Sequence, residues 1–169
     1  FRFHHDRNSF DYIYNIADLA TLKGKKFQKK RNHLNKFKQL HPDFQVAPIT
    51  QENIPQVQDL LNRWYTLRLE ADPSADFYME QVAIYRALRC WQPLEMEGLM
   101  LMDAGEILAM TMGSHLAGNT FDVQFEKAIE ASETSLTAME ELLESFPVKS
   151  GDIIYIPAKM VHAIGAGCL

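Results

Sequence analysis

The sequence has few cysteines, no long apolar run and no internal repeat. Its 2 cysteines, Cys90 and Cys168, are too few for a disulfide framework and lack CxxC spacing, so a reducing cytoplasm is the expected compartment. No stretch approaches about 20 consecutive apolar residues, which predicts that no helix spans a membrane. The chain starts at Phe1 and shows none of the ordered regions of a signal peptide, so we interpret it as a fragment without one.

The length and composition are those of an ordinary folded domain. A chain of 169 residues suits one domain, which could bury roughly two thirds of the surface that its unfolded form exposes. Hydrophobic residues make up 47% and charged residues 23%, a balance that favours a soluble globular protein over a disordered or fibrous one.

The net charge of −5 hides a strongly basic segment. No acid occurs from Leu19 to Pro42, and eight basic residues fall within that segment: Lys23, Lys25, Lys26, Lys29, Lys30, Arg31, Lys36 and Lys38. A local positive field of this kind steers anionic ligands such as phosphate, nucleic acid or a lipid headgroup. A solvated helix face that keeps the protein in solution explains the same pattern, and composition alone leaves both explanations open.

Helices dominate the first half of the predicted secondary structure. Residues Phe10 to Leu22 indicate a short helix or a loop, and Lys25 to Leu40 predicts a helix that ends before Pro42. Phe44 to Ile49 is typical of a short extended run. Thr50 then offers a hydroxyl cap for a helix with an apolar face from Ile54 to Leu67, and another helix is predicted from about Asp76 to Trp91.

Strands follow these helices. Gly98 to Met102 and Ile107 to Met112 flank a tight-turn sequence, which predicts a β-hairpin, and Thr120 to Glu126 adds a third strand. Ala131 to Phe146 predicts a helix, and Asp152 to Ile156 a last short strand. This order is α+β, and it matches the layout of acyltransferases of the GNAT type.

Three segments carry a more specific likeness. They are FDYIYNIADLATLKGKKFQKKRNHLNKFKQLHPDF from Phe10 to Phe44, the helix entry Pro48-Ile49-Thr50, and ILAMTMGSHLAGNTFDVQFEKA from Ile107 to Ala128. Together they resemble the phosphatidylglycerol lysyltransferase C-terminal-like family, which is related to GNAT acyltransferases. The resemblance implies a GNAT-like three-layer arrangement, with helices packed on a mainly antiparallel sheet, in a partial domain over residues 1–128.

The resemblance also implies a function. Studied relatives move an aminoacyl group from a charged tRNA to a membrane phospholipid, so it implies a transferase at the inner face of the membrane, with aminoacyl-tRNA or acyl-CoA as donor. The sequence after Ala128 lacks the glycine-containing loop with which GNAT enzymes hold the pyrophosphate of coenzyme A. The residues that would bind the phosphates of tRNA or of a phospholipid headgroup are Lys25, Lys26, Lys29, Lys30, Arg31, Asn32, His33 and Asn35.

Candidate catalytic residues lie at the end of the third predicted strand, where GNAT folds commonly hold donor and acceptor. They are Asp122, Glu126 and Lys127. An acid beside a lysine can act as a general base, because an amine acceptor must lose a proton to attack an ester. An ordinary ion pair at a strand end is the structural alternative. Ser114 and His115 have no third group at a recognisable spacing, so we do not assign them a nucleophilic role.

The last segment, residues 129–169, resembles a different family. The run PVKSGDIIYIPAKMVHAIGAG from Pro147 to Gly167 is similar to the cupin segment of type I phosphomannose isomerases. There, the histidine that matches His162 is a zinc ligand. Gln39 and His41, in Gln39-Leu40-His41-Pro42, match that family's Gln-x-His-Pro ligand motif, although a chance tetrapeptide explains them as well. About 40 residues cannot close a jelly roll, so this tail is predicted to add a helix and a strand to the preceding domain.

Three functions therefore stay open on the sequence. The first is an acyl or aminoacyl transferase of the lysyltransferase-like family, inactive as a fragment. The second is a piece of a mannose-6-phosphate isomerase that binds zinc. The third is a non-catalytic module whose basic helix binds an anionic surface, and the oligomeric state is left open in each case.

Overall fold

A computed structural model of the chain describes residues 12–129 and 153–156. Within them, six strands form one sheet in the order β1-β6-β5-β4-β3-β2. The strands are β1 Tyr12–Asn15, β2 Gln45–Pro48, β3 Glu97–Asp103, β4 Glu106–Ala117, β5 Thr120–Ala128 and β6 Ile153–Ile156. β2 to β5 form a four-stranded antiparallel unit, whereas β6 runs parallel to β5 and antiparallel to β1.

Four helices flank the sheet in the described part of the chain. They are α1 Ile16–Thr21, α2 Gln28–Leu40, α3 Ile54–Ala71 and α4 Tyr78–Arg89, and a 3₁₀ turn at Lys25–Phe27 leads into α2. α1 and α2 bury apolar residues such as Leu19 and Phe37 against Leu101 and Val123 of the sheet. We call this side of the sheet the α2 face.

The opposite side, the α4 face, holds a second core. There α3 and α4 bury residues such as Leu61 and Ile84 against Met100, Met110 and Met112. The apolar stripes of the helices demand this arrangement, because each must be removed from water against a sheet that is apolar on both sides. The predicted α+β class, with helices in layers on a mainly antiparallel sheet, is confirmed.

Strand pairing in the described sheet has three irregularities, and two of them control which core side chains reach which face. Leu101 pairs with Ala109 and Met102 with Ile107, so Leu108 is an extra residue in β4. Met112 pairs with Phe125 and Gly113 with Val123, so Gln124 is an extra residue in β5. A bulge of this kind breaks the alternation of side chains along a strand. As a result Phe121 and Val123 join the core of the α2 face, whereas Phe125 packs with that of the α4 face.

Glycine is required opposite the second bulge. A Cβ atom on Gly113 would lie 1.9 Å from the backbone oxygen of Asp122. The tight turn between β3 and β4 uses Ala104 and Gly105 with φ of 49° and 83°. Two successive residues in the left-handed region suit a two-residue hairpin, so the predicted hairpin is confirmed.

Two local predictions need correction. The short helix expected within Phe10 to Leu22 is present as α1, but the strand β1 before it was not predicted, because a strand of four residues gains its stability from β6 rather than from its own pattern. Thr50 was expected to cap α3, but the N-cap position is Asn53. The Asn53 side chain makes no capping bond to the helix, and its Oδ1 accepts a hydrogen bond from the backbone N–H of Thr50 at 2.8 Å.

One further helix and the last strand were predicted correctly. The helix over Lys25 to Leu40 is confirmed, with its first three residues in the 3₁₀ turn, and the strand over Asp152 to Ile156 is confirmed as β6. The helix predicted for Ala131 to Phe146 lies outside the described residues.

Candidate functional site

Glu126 lies on the α2 face of the sheet. Its register partner in β4 is Thr111, and the Thr111 hydroxyl donates a hydrogen bond of 3.4 Å to Glu126 Oε1. Burial raises the pKa of the Glu126 carboxyl to about 7, while the Thr111 hydrogen bond and the charges of Lys30 and Lys127 act in the opposite direction. A carboxyl group that ionises near neutral pH can accept and return a proton.

The basic helix is the element that covers this face. Leu34 and Phe37 fix α2 against the sheet, and Lys30, one turn before Leu34, is half-buried, so its charge acts on Glu126. The sequence predicted roles for both residues separately, in binding and in catalysis. The structure brings them close enough for the charge of Lys30 to lower the pKa of Glu126, since Lys30 lies one helical turn from the buried Leu34.

The other predicted binding residues divide into two groups. Lys25, Lys29, Asn32 and Asn35 are exposed, and His33 is half-buried. Arg31 instead donates hydrogen bonds to the backbone oxygens of Leu22 and Gly24, the latter at 2.9 Å. Arg31 thereby ties the end of α1 to the start of α2.

Lys26 also has an intramolecular partner. Its ammonium lies 3.0 Å from Asp18 Oδ2 and 4.7 Å from the centroid of the Phe27 ring. Both Lys26 and Asp18 are largely exposed, so this pair contributes little to stability.

Lys127, next to Glu126 in the chain, lies on the opposite side of the sheet. Its side chain is 3% exposed, and its Nζ is 3.1 Å from Glu80 Oε2 and 4.4 Å from the centroid of the Trp64 ring. Burial lowers the pKa of Lys127, and the negative charge of Glu80 opposes this. The ion pair considered in the sequence analysis therefore has Glu80 of α4 as the carboxylate.

Three partners in this network, Trp64, Tyr65 and Glu80, were not predicted from the sequence. Tyr65 donates a 2.8 Å hydrogen bond to Glu80 Oε1, and Trp64 and Tyr65 pack edge to face at 5.1 Å. Burial and the hydrogen bond to Glu80 raise the pKa of Tyr65. The sequence held one signal for the partner of Lys127, since Glu80 is the single acid in α4.

Asp122 lies apart from the other two catalytic candidates. It pairs in register with Ser114 on one side and with Tyr155 of β6 on the other, so it belongs to the junction of the parallel strands. Its Oδ2 accepts a 3.2 Å hydrogen bond from Gln124. Asp122 and Glu126 are separated by roughly 10 Å along β5, too far for both to act on one proton.

Of the residues predicted as zinc ligands, Gln39 and His41 lie in the described part of the chain, so the set as a whole stays a prediction. His41 Nδ1 is 2.7 Å from Asp103 Oδ2, and the His41 ring stacks on Phe37 with centroids 4.6 Å apart. Gln39 is exposed, and His162 lies outside the described residues. Residues 12–129 and 153–156 contain no cluster of three or more histidines, cysteines or acids that could hold a metal ion.

Comparison with known proteins gives the family. Residues 1–146 match the family described as phosphatidylglycerol lysyltransferase, C-terminal. The chain belongs to this family. The match continues past residue 128, where the sequence analysis divided the chain, and the division itself stays a prediction. None of these similarities supports the isomerase alternative.

Solved structures share the fold. A conserved protein of unknown function from Bacteroides thetaiotaomicron is 34% identical, with a TM-score of 0.83 over 96% of this chain and 53% of that one. The C-terminal domain of a protein from Agrobacterium fabrum, assigned as a lysylphosphatidylglycerol synthetase, is 12% identical. Its TM-score is 0.57 over 89% of this chain and 46% of that one, a likeness that shows the fold alone.

A curated relative extends the comparison. An uncharacterised protein of Mycoplasmoides gallisepticum is 32% identical over 107 residues, which are 63% of this chain and 32% of that protein. The chain thus spans about half the length of the solved relatives and about a third of the curated one. Within the described residues, none of the helices is both long enough and apolar enough to cross a bilayer.

Proposed function

We propose that this chain is part of an aminoacyl transferase and that α2 binds the anionic substrate beside Glu126. Membership of the lysyltransferase C-terminal family supports the reaction class. The observation that supports the proposed site is the packing of α2 on the sheet through Leu34 and Phe37, which brings the charge of Lys30 to act on the carboxyl of Glu126. A phosphate held by α2 would lie next to a group able to accept a proton.

Transfer of an aminoacyl group needs such a proton acceptor. The attacking hydroxyl or amine gives its proton to Glu126 as it forms a bond to the ester carbonyl carbon. The bond from that carbon to the tRNA oxygen then breaks, and the leaving oxygen takes the proton back from Glu126. At neutral pH a carboxyl group with a pKa of about 7 is present in both its ionised and its protonated form, and these two steps require one form each.

The exposed side chains of α2 and of the 3₁₀ turn before it supply the attraction for phosphate. They are Lys29, Asn32 and Asn35 of α2 and Lys25 of the turn, and the sequence holds no acid from Leu19 to Pro42. Binding of this kind releases counterions and weakens steeply as salt rises. Arg31 supports the site indirectly in this proposal, since it holds the loop before α2.

The binding half of the proposal is tested with tRNA at several salt concentrations. We expect Lys25→Gln with Lys29→Gln to weaken binding and to reduce the slope of log K against log salt by about 1 to 2. Arg86→Gln with Arg89→Gln removes equal charge from α4 and serves as the matched control. Equal losses in both variants would show that net charge, and not α2, governs binding.

The chemical half is tested by aminoacyl transfer from charged tRNA to phosphatidylglycerol in vesicles. Glu126→Gln should lower the transfer rate by about 100-fold or more while tRNA binding persists. Unchanged transfer in Glu126→Gln would refute the role of Glu126. Normal tRNA binding without transfer in the unmodified chain would leave a non-catalytic anion-binding module.

A further inference from the structure

The outer surface of α4 combines exposed apolar and basic side chains. Tyr78, Met79 and Val82 are 66%, 74% and 38% exposed, and Arg86 and Arg89 are exposed as well. At 3.6 residues per turn these five side chains fall within an arc of about 100° around the helix. Large apolar side chains are ordinarily turned away from water, so three of them side by side on a helix indicate an interaction surface.

The one acid within α4 is directed away from this stripe, whereas the carboxylate of Asp76 lies at its Tyr78 end. The one acid of α4, Glu80, points to the opposite side of the helix, where it pairs with the buried Lys127. Just before the helix, Asp76 uses its Oδ1 to accept a 2.9 Å hydrogen bond from the backbone N–H of Tyr78. The stripe itself therefore carries two positive charges and no carboxylate.

We infer that the outer face of α4 is a contact surface for an anionic phospholipid bilayer. Tyrosine is suited to the boundary between headgroups and acyl chains, where its ring is apolar and its hydroxyl is wet. Met79 and Val82 would enter the acyl boundary beside it. Arg86 and Arg89, about one and two turns further along, would meet lipid phosphates, which arginine binds in a bidentate manner.

The position of α4 separates this surface from the basic helix. α4 packs on one side of the sheet and α2 on the other. A flat bilayer in contact with α4 therefore leaves α2 turned to water, where a soluble polyanion can reach it. The inference goes beyond the proposed function, because it requires neither aminoacyl transfer nor a role for Glu126.

Partition of the chain onto vesicles tests the inference. The probe is a vesicle of equal parts phosphatidylglycerol and phosphatidylcholine, compared with phosphatidylcholine alone. Arg86→Gln with Arg89→Gln should weaken partition onto the anionic vesicles by roughly 30-fold. Met79→Ser with Val82→Ser should weaken it by about 10-fold, since each change removes apolar surface that would enter the boundary. Lys25→Gln with Lys29→Gln, on α2, should leave it unchanged.

The variants replace exposed side chains, and a thermal melt of each establishes that the fold is retained. The inference is overturned if the unmodified chain ignores anionic vesicles, or if only the α2 variant loses partition. It is also overturned if either α4 variant changes the oligomeric state of the free chain, which would identify the stripe as a protein interface. Loss of tRNA binding in the α2 variant bears on the proposed function alone.

Discussion

At the scale of single residues, strand alternation decides what Glu126 and Lys127 can do. The two are neighbours in the chain, but their side chains leave β5 in opposite directions, one toward α2 and one toward α3 and α4. The electrostatic environments differ accordingly. Glu126 feels the charge of the half-buried Lys30 of α2, whereas Lys127 lies between the Trp64 ring and the Glu80 carboxylate.

The raised pKa of Glu126 predicts a pH dependence of stability. The pKa of the carboxyl group is about 7 in the folded chain against an ordinary value of 4.5, so the folded state favours its neutral form. That contribution is complete below pH 4.5 and is lost as pH rises through about 7. Glu126→Gln, which stays neutral, should therefore raise the free energy of unfolding near pH 8 by about 2 kcal/mol, reduced from the full shift because the side chain is partly exposed.

Urea denaturation of both proteins between pH 4 and pH 8 checks this prediction. The difference between Glu126→Gln and the unmodified chain should grow with pH and disappear at the acidic end. A difference that stays constant with pH would mean that folding does not raise the pKa of the Glu126 carboxyl. Thr111→Val, which removes the hydroxyl that donates to the ionised form, should enlarge the pH dependence.

At the scale of elements, the buried pair of Glu80 and Lys127 joins α4 to β5. Tyr65 of α3 donates to the same carboxylate, so three elements meet at one polar group inside an apolar core. Such a network costs free energy in desolvation and returns it only while every member is paired. It fixes α4 in rotation, and the outer stripe of α4 is a consequence of that rotation.

The two members of this pair should differ in their tolerance of substitution. The side chain of Lys127 is 3% exposed and that of Glu80 is 21% exposed. An unpaired Lys127 ammonium therefore destabilises the fold more than an unpaired Glu80 carboxylate. We expect Glu80→Gln to lower the free energy of unfolding by about 3 kcal/mol, and Lys127→Met by about 1 kcal/mol, since methionine keeps the volume and leaves Glu80 near water. A double-mutant cycle measured by denaturant unfolding gives the coupling. Equal losses in the two single variants would contradict the asymmetry.

At the scale of the whole molecule, residues from the far end of the chain complete the sheet. β6 lies between β1 and β5, so it pairs the first described strand with the last strand of the antiparallel unit. Parallel pairing of β5 and β6 requires a crossover connection rather than a hairpin. The predicted strand near the end of the sequence is therefore part of this sheet, as β6.

Removal of residues 129–169 should consequently destabilise the chain. Without β6, β1 loses its pairing partner, and β5 becomes an unprotected edge that promotes aggregation. We expect a lower melting temperature and concentration-dependent association in light scattering. Deletion of residues 157–169, which retains β6, is the matched control, and equal behaviour of the two deletions would show that β6 pairing is not the cause.

The sequence by itself determined the class of fold, most helices and strands, and the family, because these follow from apolar periodicity, turn residues and a distinctive basic motif. Tertiary structure alone decided the grouping of the side chains. β1 depends on a distant strand, the bulge at Gln124 redirects the residues after it, and Lys127 finds its partner in a helix 47 positions earlier (127 minus 80). Local patterns cannot encode these results, since they depend on register and on which face of the sheet each helix covers.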